Sequence, residues 1–156
     1  MIDIKLTSKA ISEPIRHNAY YKLIILLAIV KYCANGKKAS IQLIHLVFWG
    51  LRTESNYQVL SDFSKKRRQT ITPWSFEIGI DKILALCYIN NFCEKSIIMN
   101  GKYPDSLEIK ITNEGEGILK KIDDFNLFRK DIIKIKELGK IPKSRIINAN
   151  QKWTLI

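Results

Sequence analysis

Ile111-Thr112-Asn113-Glu114-Gly115-Glu116-Gly117-Ile118-Leu119 is the stretch on which the fold turns. Upstream of it, Leu107, Ile109 and Ile111 alternate with Glu108 and Lys110, the period of a half-buried strand. Thr112 then supplies a side-chain oxygen for a helix start, and Glu114 and Glu116 sit in the first turn, where the helix dipole favours negative charge. The spacing predicts a helix running to about Asp124. A partner strand is expected over Ser96 to Met99, joined through the turn residues Asn100-Gly101-Lys102-Tyr103-Pro104-Asp105-Ser106, so the region reads as a two-stranded hairpin followed by a helix.

Working toward the N-terminus, an irregular lead-in containing Pro14 gives way to a helix from about Asn18 to Ala34, capped by Asn18 and stopped by Asn35-Gly36. Its run Leu23 to Val30 is apolar all round, which implies burial. Ser40 caps a second helix to about Leu51, and a third is expected from Ser55 to Arg68 with Tyr57, Leu60 and Phe63 on its core face. Thr72 before Pro73 reads as an N-cap followed by proline at the first helical position, with Ile71 and Phe76 as a hydrophobic staple. The helix beginning there would put Phe76, Ile80, Ile83, Leu84 and Cys87 on one stripe and Glu77 and Asp81 on the other face.

This succession of helices, hairpin and helix is that of a winged helix-turn-helix, and the 111–119 stretch resembles the end of the wing in many such proteins. The expected architecture is mainly α with a small β-hairpin, a winged-helix core over residues 1–124 and a C-terminal helical extension over 125–156 packed on it or on a partner. The extension reads as an amphipathic helix from Phe125 to Leu138, showing Phe125, Phe128, Ile132 and Ile135, then Gly139, Pro142 and a short helix ending near Trp153.

The chain has 156 residues, 46% hydrophobic and 26% charged, enough for one core and too mixed in charge for a disordered basic tail. The longest apolar run is far below the roughly 20 residues of a spanning helix, and residues 1–6 lack the pattern of a secretory signal, so a cytoplasmic address without membrane contact is expected. Cys33, Cys87 and Cys93 are an odd set that reads as reduced, packed thiols. Cys87 and Cys93 do not have zinc-knuckle spacing, and His17 and His45 lack ligand-like neighbours, so neither metal nor other cofactor is expected.

The formal charge is +11, unevenly spread: residues 1–72 carry 12 basic and 4 acidic side chains, residues 73–124 carry 6 and 9, and residues 125–156 carry 8 and 2. A helix that reads DNA offers Arg, Lys, Asn or Gln to base edges. Glu77 and Asp81 on the presumed recognition helix oppose that and suit a protein-docking face. The clusters Lys37-Lys38, Lys65-Lys66-Arg67-Arg68 and Lys140, Lys143, Arg145 are candidates for phosphate contact without base reading, each also readable as solvated surface. Phe63 and Trp74 flank the four-residue run. Phe63 falls on the core face, leaving Trp74 and Trp153 as candidate anchors for a base or a protein interface, unless they pack in the core. No nucleophile with a base, paired carboxylates or glycine-rich phosphate loop has usable spacing, and a non-enzyme is expected.

The lead-in Glu13-Pro14-Ile15-Arg16-His17-Asn18-Ala19-Tyr20 before a long apolar helix, the central winged-helix unit and the tail Leu138 to Trp153 together resemble the small middle components of bacterial three-component ABC-ATPase defence systems, including the Lamassu type. The resemblance implies a non-catalytic subunit of an anti-phage complex. It would bind an ATPase resembling the structural-maintenance-of-chromosomes (SMC) proteins alongside a nuclease effector, near double-stranded DNA contacted without sequence preference. It assigns no site residue. A self-sufficient winged-helix transcriptional regulator is the main alternative, and an inhibitor-like binding module a third.

Overall fold

The computed structural model describes the backbone of residues 18–153, with the side chains of 98, 100, 103–106 and 150–153 outside the description. The lead-in before Asn18 and the side chain of Trp153 therefore lie outside the described residues. The described chain is mainly helical, with a small antiparallel sheet.

Helix α1, Ala19–Tyr32, starts where expected because Asn18 accepts the N–H groups of Tyr20 at 2.8 Å and Tyr21 at 3.4 Å. Every residue from Tyr21 to Val30 is buried, since α1 is packed by helices and sheet together. None of the described helices is long and apolar enough to cross a membrane. A 3-10 turn at Asn35–Lys37, opened by Gly36 at φ 63°, turns the chain into β1, Lys38–Ser40. Ser40 then accepts the Leu43 N–H at 3.2 Å and caps α2, Ile41–Arg52, and Thr53 does the same for α3, Glu54–Ser64. At the α2–α3 contact, a Cβ on Gly50 would lie 2.4 Å from the Leu60 side chain, so the glycine sets how closely the two helices approach.

After α4, Ile80–Ile89, strands β2, Cys93–Asn100, and β3, Tyr103–Ile111, form the expected hairpin, each longer than its alternation suggested. β1 joins as a third strand on the other side of β3, giving the order β1-β3-β2. Ala39 pairs with Ile109, and both are fully buried. Thr112 caps α5, Asn113–Asp124, accepting from the Gly115 N–H at 3.1 Å. A Cβ on Gly115 would lie 2.3 Å from the Phe92 carbonyl oxygen, which itself accepts the Thr112 N–H. The glycine in the opening stretch is thus a close-approach residue, letting α5 start directly against the hairpin.

Helices α6, Arg129–Leu138, and α7, Lys143–Trp153, complete the chain. Ile135, Ile141 and Ile146 enter the same core as α1, each such burial contributing roughly 1.5–3 kcal/mol. The Ile141 N–H donates to the Cys33 carbonyl at 3.0 Å, and the Tyr21 hydroxyl donates to Asp131 at 2.6 Å, so polar bonds reinforce the apolar seam.

Three expectations are corrected. No helix begins at Pro73: residues 71–77 are non-helical, and α4 starts after Gly79, which is left-handed at φ 82°. The Glu77 N–H and the Phe76 carbonyl, which a helix would use internally, are bonded to α2 instead, and Phe76 is 64% exposed rather than on the core stripe. The third helix ends at Ser64, not Arg68, because Lys66 turns left-handed at φ 63° and the Arg67 and Arg68 N–H groups donate back to the Asp62 carbonyl. The last amphipathic helix begins at Arg129, since Asn126 and Phe128 have positive φ, and Phe125 is exposed.

Candidate nucleic-acid interface

The 138–145 segment packs against two parts of the chain that carry sequence-distant basic clusters. At one end, Ser64, immediately before Lys65, donates its hydroxyl to the Leu138 carbonyl, and the Arg145 guanidinium stacks 4.2 Å from the centre of the Phe63 ring. At the other, Ile141 is bonded to Cys33, and Lys143 lines a cavity of about 130 Å³ with Lys38, Asn35, Ser40 and Glu108. The segment, which carries Lys140, Lys143 and Arg145, therefore packs against both the end of α3, where Lys65–Arg68 begin, and the region of β1, where Lys38 shares a cavity wall with Lys143 and Glu108.

These basic residues differ in what they offer. Lys38, Lys65, Lys66 and Lys140 are exposed and form no ion pair among the described residues. Arg67 is exposed but bonded to Asp62 at 2.9 Å, and the half-buried Arg68 donates to the Thr70 carbonyl at 2.6 Å. Lys37 is turned away into an ion pair with Glu116 at 2.7 Å, a hydrogen bond that holds the Glu116 carboxyl below its usual range. Arg145 is half-buried, with an Nη2 that finds no hydrogen-bond partner among the described residues. It is as much a packing residue as a surface cation.

Glu77 is the clearest correction to the candidate residues. It was expected on an exposed, protein-docking face with Asp81; only Asp81 is exposed. Glu77 is buried, with Oε2 3.2 Å from Lys22 Nζ and Oε1 accepting from Arg52 Nη2 at 3.0 Å and Nε at 3.2 Å. Burial pushes its carboxyl up, and the hydrogen bonds from Lys22 and Arg52 outweigh that and leave it below the usual range. Its backbone N–H donates to His45 Nδ1 at 2.9 Å, which requires an unprotonated nitrogen there; burial keeps the imidazole below its ordinary value. The network fixes residues 74–78 against α2. The segment's side chains include the half-buried Trp74, Phe76 stacked on His45 at 4.4 Å, and Ile78, 86% exposed. Sequence reading missed this cluster because its members are 56, 33, 26 and 1 positions from Ile78 and meet only in the fold.

On α4 the exposed residues are Asp81, Lys82, Ala85 and Ile89, a face poor in base-reading donors. Cys33, Cys87 and Cys93 are buried free thiols; burial pushes Cys33 up to about 12, and its contact with Cys87 raises Cys93. Among the described residues, no three His, Cys, Asp or Glu side chains gather as a metal site would require. No family model matches the chain, and neither a curated protein nor a solved structure matches it.

Proposed function

We propose that this protein is a non-catalytic, winged-helix accessory subunit that contacts DNA phosphates without reading sequence. The observation that carries the reading is that the 138–145 segment, with Lys140 and Lys143 on it, packs both against the end of α3, next to Lys65 and Lys66, and beside Lys38. Residues drawn from three parts of the chain suit a ligand with repeated negative charge. The winged-helix assignment rests on the element order, with β1 between α1 and α2 and paired to the returning strand of the hairpin. The α4 face, with Asp81, Ala85 and Ile89 outward beside a single donor, Lys82, disfavours base readout and favours backbone contact as the mode of binding.

The resemblance to middle components of three-component ABC-ATPase systems supplies the biological setting: an anti-phage complex with an SMC-like ATPase and a nuclease effector, in which this subunit lies along the DNA. The direct test is binding of the purified chain to unrelated duplexes at two salt concentrations. Weak binding that is indifferent to sequence and falls steeply with salt supports the reading. Salt-resistant binding to one palindromic site overturns it in favour of a self-sufficient regulator.

A further inference from the structure

Between Lys65 and Ile80 the chain carries a basic run and an exposed aromatic platform; Glu77, the acid within it, is buried and ion-paired, and the exposed carboxylate that follows is Asp81, whose charge acts on His45. The platform is Phe76. One face of its ring is stacked on His45 with the planes 26° apart, yet the side chain remains 64% exposed, and the Trp74 ring lies 5.5 Å away. It is also pre-positioned: the Phe76 carbonyl accepts from Arg52 at 2.9 Å, and the next N–H is held by His45. Little conformational freedom remains to be lost when a flat ligand settles on it.

Phe76 is eight positions from Arg68, at most about 28 Å of chain, within reach of a strand of about ten nucleotides stacked at about 3.4 Å each. We propose that the segment from Lys65 to Ile78 binds single-stranded nucleic acid, with phosphates along Lys65, Lys66 and Arg67 and an unpaired base stacked on Phe76. Charge complementarity selects a polyanion, and the exposed ring selects one whose bases are free, since a duplex keeps its π-faces internal. The inference rests on the phosphate-binding reading of the basic clusters and adds the form of nucleic acid that they prefer.

The test uses the full chain with a labelled oligothymidine of about ten nucleotides and a duplex of the same length. Tighter binding of the single strand is expected. Phe76→Ala should weaken single-strand binding by about five-fold or more while leaving the duplex unchanged, and Phe76→Trp should keep the preference. Because the ring is largely exposed, Phe76→Ala should lower the urea midpoint only slightly, by the loss of its stacking on His45, and still unfold cooperatively, which separates lost base stacking from lost folding. Equal affinity for both ligands overturns the inference and leaves the phosphate-binding reading standing. So does a preference that survives in Phe76→Leu, which would mark the surface as merely apolar and suited to a protein. Binding of neither ligand overturns both readings.

Discussion

Replacing Glu77 with Gln removes one buried charge while nearly preserving shape, and its cost follows from what the carboxylate holds. The side chain is 6% exposed, and its partner Lys22 is 11% exposed. At about 3 Å in an effective dielectric near 20, each pairing contributes about 5 kcal/mol of attraction, most of it offset by the desolvation of both ions. Removing one member of such a pair strands the other, at about 3–5 kcal/mol. Arg52 is 28% exposed and keeps bonds to Ser75 and the Phe76 carbonyl, so it relaxes toward water and places the expected loss near the lower bound, about 3 kcal/mol. In a urea titration with a slope of about 2 kcal/mol/M, the midpoint should fall by about 1.5 M. Lys22→Met should recover part of the loss in the double variant, because the stranded cation is gone. The carboxyl lies below its ordinary 4.5 in the folded state, so its contribution is fully present above that value and lost as pH falls through the folded pKa. The gap between parent and variant should therefore close in acid. A loss under about 0.5 kcal/mol at neutral pH, or a gap that widens in acid, would refute the reasoning.

Gly115→Ala forces a Cβ to 2.3 Å from a carbonyl oxygen and 2.7 Å from Ile111; it should cost about 2 kcal/mol by urea titration, where the same change at the open Gly117 should be neutral or stabilising. His45 is held below its ordinary 6.5 and is needed neutral, so stability is fully present above 6.5 and declines as pH drops below it toward the lower folded value. His45→Asn should flatten that part of the stability curve. Native thiols should react with a disulfide reagent only as fast as the protein opens, since all three are buried and those of Cys33 and Cys93 are held protonated.

Features written in local signals were legible. Asn18, Ser40 and Thr112 cap helices as their side-chain chemistry dictates, and the alternation ending at Ile111 buries Ile109 and Ile111 while Lys110 faces out. Features decided by tertiary partners were not. β1 spans Lys38–Ser40, too short to show a period, and exists because β3 offers it an edge. Thr72-Pro73 gives a sound helix-start signal that loses to the bonds holding Glu77 and Phe76 against α2 and to the left-handed Gly79. The basic clusters could be seen one at a time, whereas the packing that relates them depends on a segment that is distant from the others in sequence.

Duplex affinity measured against salt concentration tests the central claim most directly. With Lys38, Lys65, Lys66 and Lys140 each meeting a phosphate, the slope of log K against log salt should be about −3.6, a loss of about 150-fold between roughly 50 and 200 mM. Lys65→Gln with Lys66→Gln should halve that slope for every duplex sequence alike. A slope near zero, or one unchanged by those two substitutions, would contradict the account.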